Sequence, residues 1–98
     1  MGKTSVPPNV PDTFKEFAER FPRIVEAHEG VAKSVDAAGP LDRKTCELIK
    51  LGISIGAGLE TAVRSHTRRA VGRGGGRADI EQSILLAMNT CGFPRMVA

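Results

Sequence analysis

The chain has 98 residues, 41% hydrophobic and 26% charged, which allows one modest core and sets it among folded globular chains rather than disordered ones. Four Phe, with no Trp or Tyr, leave few bulky side chains to thicken that core, so burial against further copies of the chain is expected. A formal charge of +3 is too mild to mark a nucleic-acid protein, no apolar run reaches membrane-spanning length, and Cys46 and Cys91 form neither a CxxC nor a metal-ligand cluster.

From Met1 to Pro11 there is no apolar segment of the kind a secretory signal needs, and the thiols suit a reducing compartment, so a cytoplasmic location is expected. Pro7, Pro8 and Pro11 make residues 1–11 an extended arm, because proline fixes φ and lacks an amide proton. Residues 12–98 are then expected to form a single helical domain. A first helix starts at Asp12, with Phe14, Phe17, Ala18 and Phe21 at three- and four-residue steps, and Pro22 ends or kinks it. A second amphipathic stretch carries Ile24, Val25, His28, Val31, Ala32 and Val35 and closes at Gly39 and Pro40. The third helix opens near Asp42, whose carboxylate accepts backbone amide protons, and runs through Leu48, Ile49, Ile53 and Ile55 toward Gly56 and Gly58. Leu59 to Arg73 forms a fourth, with Leu59, Ala62, Val63, His66 and Ala70 along its buried stripe. Gly74, Gly75 and Gly76 break it. A fifth begins near Gly76, packs through Ile80, Ile84, Ala87, Met88 and Cys91, and stops at Gly92 and Pro94. No stretch alternates like a strand, so the fold class is all-α, with about five helices.

His66 falls inside an apolar stripe, where burial and a nearby carboxylate pull its protonation in opposite directions and suit it to proton transfer. The competing reading is a core histidine satisfied by a hydrogen bond. Glu47 stands among Cys46, Leu48, Leu51 and Ile55, and a carboxylate in that company needs a partner. An antiparallel turn through Gly56 to Gly58 lets it meet His66 as an acid/base pair; alternatively it is a solvated edge residue or lies in a subunit contact.

Arg64, Arg68, Arg69, Arg73 and Arg77 have no acid between them. A solvated face, or pairing with acids of a neighbouring subunit, is favoured over nucleic-acid binding, since no aromatic residue interleaves and no phosphate-loop pattern is present. Near a pocket mouth, arginine also suits recognition of a small anionic molecule. His28 is assigned a structural role. Cys46 and Cys91 are expected to pack as small apolar residues, for neither has the flanking charge that sustains a thiolate.

The stretch CELIKLGISIGAGLETAVRSHTRRA, followed by DIEQSILLAMNTCGFP, resembles the core of the carboxymuconolactone decarboxylase and alkylhydroperoxidase D family. Redox members of that family carry a glutamate, a CxxC and a histidine at a spacing that Glu47 and His66 match, whereas Leu59 and Ala62 stand where the cysteines would be. Disulfide exchange needs an attacking and a resolving thiol, so thiol peroxidase activity is not expected of this pattern. The resemblance implies antiparallel helices assembled into ring-like homo-oligomers, trimers or hexamers, with pockets near subunit boundaries. It also implies a cofactor-independent, metal-free lyase that decarboxylates a carboxylated lactone. In that reading His66 is the general acid/base, Glu47 orients it, and Arg64 or Arg68 holds substrate carboxylates. The alternatives are a non-catalytic oligomeric or ligand-binding member, or a peroxidase relative that has lost its redox cysteines.

Overall fold

The computed structural model describes residues 12–92; the expected arm over 1–11, and Phe93 and Pro94 of the closing segment, lie outside them. Five α-helices account for most of the described chain: α1 Asp12–Arg20, α2 Pro22–Asp36, α3 Arg43–Ala57, α4 Glu60–Gly72 and α5 Arg77–Cys91. No strand occurs among the described residues. None of these helices is long and apolar enough to cross a membrane.

The contacts divide the chain into two compact units, with the boundary between Gly39 and Pro40. In the first, Pro22 separates α1 from α2 by taking the first position of the second helix, where its missing amide proton would be unpaired anyway. Ala18 and Val25 are the buried residues of these two helices, and the rings of Phe17 and Phe21 meet at 5.3 Å between centroids. The expected stripe is only partly buried: Phe14, Phe17, Phe21, Ile24, Val31 and Val35 all stay exposed. The second helix also ends earlier than Gly39, at Asp36: the amide of Ala38 bonds to the Val35 carbonyl three positions back instead of four, which tightens and closes the last turn.

In the second unit α3 is central and packs against both α4 and α5. Leu51, Ile55 and Ala87 form its buried core, with Val63, Ile80 and Ile84 packed around them. The buried stripe of α3 runs Glu47, Leu51, Ser54, Ile55, at steps of four, three and one, so it includes two polar residues and leaves Ile49 and Ile53 exposed. Ser54 satisfies its hydroxyl on the Lys50 carbonyl one turn back, at 2.7 Å.

The connections follow from capping. Asp42 caps α3 by accepting the Thr45 amide at 2.7 Å, and these bonds hold its carboxyl below the usual aspartate range. At the far end Gly58 adopts φ 71°, and the amides of Gly58 and Leu59 return to the carbonyls of Ile55 and Ser54. That double closure is a Schellman turn, and it sends the chain straight into α4. The same device ends α4, where Gly74 at φ 90° bonds back to Val71 and Gly75 to Ala70. A Cβ on Gly75 would stand 2.8 Å from the Ala70 carbonyl oxygen, so this turn has room only for glycine.

Candidate functional site

Glu47 lies one turn into α3 and His66 midway along α4, on the sides of those helices that face each other. The Schellman turn at Gly58 reverses the chain between them, and packing brings residues nineteen positions apart to 2.7 Å, His66 Nδ1 to Glu47 Oε1. Both are sheltered, with side chains 17% and 7% exposed respectively. A carboxylate so far removed from water is strongly disfavoured without a hydrogen-bond donor, and the imidazole is that donor.

The contact runs through Nδ1, so Nε2 is the ring nitrogen not bonded to Glu47. With Glu47 ionised, the carboxylate accepts and the imidazole Nδ1–H donates, and a neutral ring then presents a lone pair at Nε2. When a second proton arrives it occupies Nε2, and Glu47 compensates the resulting charge. The arrangement is thus competent to accept and deliver a proton at one defined atom.

Arg64 and Arg68 are placed differently. Each is two positions from His66 on α4, about 200° around the helix, so both project from the outer face. Arg64 is engaged by Glu60 at 2.8 Å, and Arg68 reaches the Ser65 hydroxyl at 3.5 Å. Arg77 likewise pairs with Glu81 at 3.2 Å. No hydrogen bond joins Arg64 or Arg68 to the Glu47–His66 pair. His28 is exposed on α2.

Both cysteines are free. Cys46 directs its sulfur to the Leu41 carbonyl at 3.7 Å. Cys91 sits at the end of α5, its sulfur so close to α3 that a Cβ on Gly56 would meet it at 2.8 Å. Leu59, at one of the two positions where redox relatives carry cysteine, is exposed at the α3–α4 turn.

Sequence reasoning overlooked Ser83. It is buried on α5 and donates to the Leu48 carbonyl of α3 at 3.2 Å, fixing the register of the two helices. Its place between Ile80 and Ala87, on the inward side of α5, was the available signal. Beside it a groove of about 470 Å³ opens between α3 and α5, lined by residues that include Ile49, Gly52, Ile53, Leu86 and Cys91 but neither Glu47 nor His66.

An uncharacterized protein of Haemophilus influenzae (strain ATCC 51907 / DSM 11121 / KW20 / Rd) is similar to this chain, at 26% identity over 62 residues, covering 63% of this chain and 55% of that protein. The chain therefore spans about half the length of that curated relative. No solved structure gives a significant match. The model of the carboxymuconolactone decarboxylase family matches residues 20–98, a span that takes in the hairpin holding Glu47 and His66, and the chain belongs to that family.

Proposed function

We propose that this protein is a cofactor-independent lyase that removes carbon dioxide from a small anionic organic acid of the carboxylated-lactone class. His66 is the general acid/base and Glu47 the positioning partner. The observation that carries this reading is the sheltered 2.7 Å contact between them, which leaves Nε2 as the free nitrogen. Family membership supports the substrate class.

The step balances without a further reactant. The bond from carbon to the departing carboxylate breaks, its electron pair is delocalised toward the lactone carbonyl, and carbon dioxide leaves. The protonated His66 ring then delivers the Nε2 proton to that carbon and regains one from water. Glu47 stabilises the charged ring before transfer and holds Nε2 in line during it. The outer-face arginines, Arg64 and Arg68, are assigned to attracting the anionic substrate rather than to the proton transfer.

A second reading, a non-catalytic oligomeric or ligand-binding member, draws on one observation. Arg64 is already neutralised by Glu60, and no bond joins Arg64 or Arg68 to the buried pair. Carbon dioxide release from a panel of carboxylated lactones, measured for the wild type and for His66→Gln, separates the two. The lyase reading predicts turnover lost in the variant while its circular dichroism spectrum is unchanged. Turnover retained without the imidazole, or wild-type inactivity across the panel, favours the second.

A further inference from the structure

Arg64 and Arg68 project away from the buried pair, but two other arginines of α4 do not. Arg69 and Arg73 follow His66 by three and seven positions, which places them about 60° and 20° around the helix on one flank of it. Arg43 and Lys50 stand likewise on α3, four positions before Glu47 and three after it, about 40° and 60° around that helix. The opposite flanks of both helices turn toward α5. There Lys44 pairs with Asp79, the Leu48 carbonyl accepts from Ser83, and Val63 packs with Ile80 and Ile84 around the core. The four cations therefore rim the side of the α3–α4 seam that faces away from α5.

Neither helix offers this rim a counter-charge. Glu47 is the one acid of α3 and is committed to His66; Glu60 is the one acid of α4, lies on another side of it and is taken by Arg64. Among the described residues the guanidinium groups of Arg69 and Arg73 take part in no hydrogen bond or ion pair. The negative end of the α4 dipole favours a cation in the last turn. That effect accounts for a charge at this end of the helix, but not for two guanidinium groups one turn apart on the flank of His66.

From this arrangement we infer that Arg69 and Arg73 form a carboxylate-binding clamp beside His66, and that they, rather than Arg64 or Arg68, hold the anionic substrate during proton transfer. Residues four apart are neighbours on a helix surface, so both guanidinium groups can close on one carboxylate, each offering paired N–H donors. The group they hold is one that stays anionic, since a cation on the departing carboxylate would stabilise the ground state and slow its loss. Such binding is the same before and during the reaction, so removing it raises KM and leaves kcat nearly unchanged. The assignment to substrate rests on the lyase reading above; the clamp itself does not.

Succinate is a suitable probe because its binding needs no turnover. In titration calorimetry at constant ionic strength the wild type should bind it saturably, with a shift of the His66 ring nitrogens, and should not bind succinamide. Arg69→Gln and Arg73→Gln should each weaken that affinity about tenfold with unchanged thermal midpoints, and Arg69→Lys should recover part of the loss. Arg64→Gln and Arg68→Gln should bind as the wild type does. His66→Gln should bind succinate as well, so a protein that binds it yet turns over no lactone keeps the clamp and loses the lyase reading alone. The clamp is overturned if the wild type does not bind succinate, if binding leaves the His66 ring unmoved, or if the affinity is indifferent to Arg69→Gln and Arg73→Gln or equally sensitive to Arg64→Gln and Arg68→Gln.

Discussion

The contact between His66 and Glu47 is a buried charge problem solved by one hydrogen bond, and its two halves are unequal under mutation. His66→Ala leaves Glu47 sheltered with no donor, which should cost about 3–5 kcal/mol of unfolding free energy in urea denaturation. His66→Gln keeps an N–H to offer, so its stability should fall much less while proton transfer is lost. Equal destabilisation by both would mean that ring packing, and not the hydrogen bond, holds the site. Asp42 gives a separate test through acid. Its folded carboxyl titrates below the ordinary value of 3.8, chiefly because it accepts the Thr45 amide. A depressed carboxyl contributes stability that is fully present above the unfolded value and is lost as pH falls through the folded one. Asparagine caps comparably but does not titrate in this range. The urea midpoints of wild type and Asp42→Asn should therefore converge, or cross in favour of the variant, as pH drops below 3.8. A gap that does not change with pH would remove this cap from the acid response.

At the level of the helix, glycine effects differ in sign with backbone angle. Gly58 holds φ 71° in the turn that aligns α3 with α4, so Gly58→Ala should cost about 1 kcal/mol and loosen the approach of Glu47 to His66. Gly30 lies inside α2 with nothing within 4 Å of an added Cβ, and Gly30→Ala should stabilise by roughly 0.5–1 kcal/mol. Matching thermal shifts for the two would show that the turn is not held in the left-handed region. These same elements show how much a sequence discloses. Asp42, Pro22 and the Gly58 and Gly74 turns are local chemistry, and the helix limits near them could be read directly. The pairing of Glu47 with His66 was legible because both sit on stripes that a hairpin must face together. Which stripe of α3 is buried was less legible. Apolar residues surround the helix, and only tertiary packing selects Glu47, Leu51, Ser54 and Ile55 over Ile49 and Ile53. Ser83 was hidden for a similar reason, since its value lies in a carbonyl 35 positions away.

For the molecule as a whole, a modest core and a generous exposed apolar surface belong together. Among the described residues Leu51 is the one large apolar side chain that is fully buried, while others such as Phe17, Val31, Ile53 and Leu86 remain exposed. Association between copies, as the family resemblance implies, predicts an unfolding midpoint that rises with protein concentration in a differential scanning experiment. A midpoint independent of concentration would mean the monomer alone supplies the stability. The arginine face of α4 belongs to this scale as well. Arg64 on that face and Arg77 at the start of α5 are already engaged by Glu60 and Glu81, which favours a solvated or subunit-facing surface over a phosphate-binding one.

The central claim, that Glu47 holds the Nδ1 proton of His66 and frees Nε2 for chemistry, is tested most directly by the imidazole nitrogen shifts of His66 in long-range ¹H–¹⁵N spectra. The account predicts the Nδ1–H tautomer for the neutral ring, reverting toward Nε2–H in Glu47→Ala. A wild-type ring carrying its proton on Nε2, or averaging between tautomers as a free imidazole does, would contradict it.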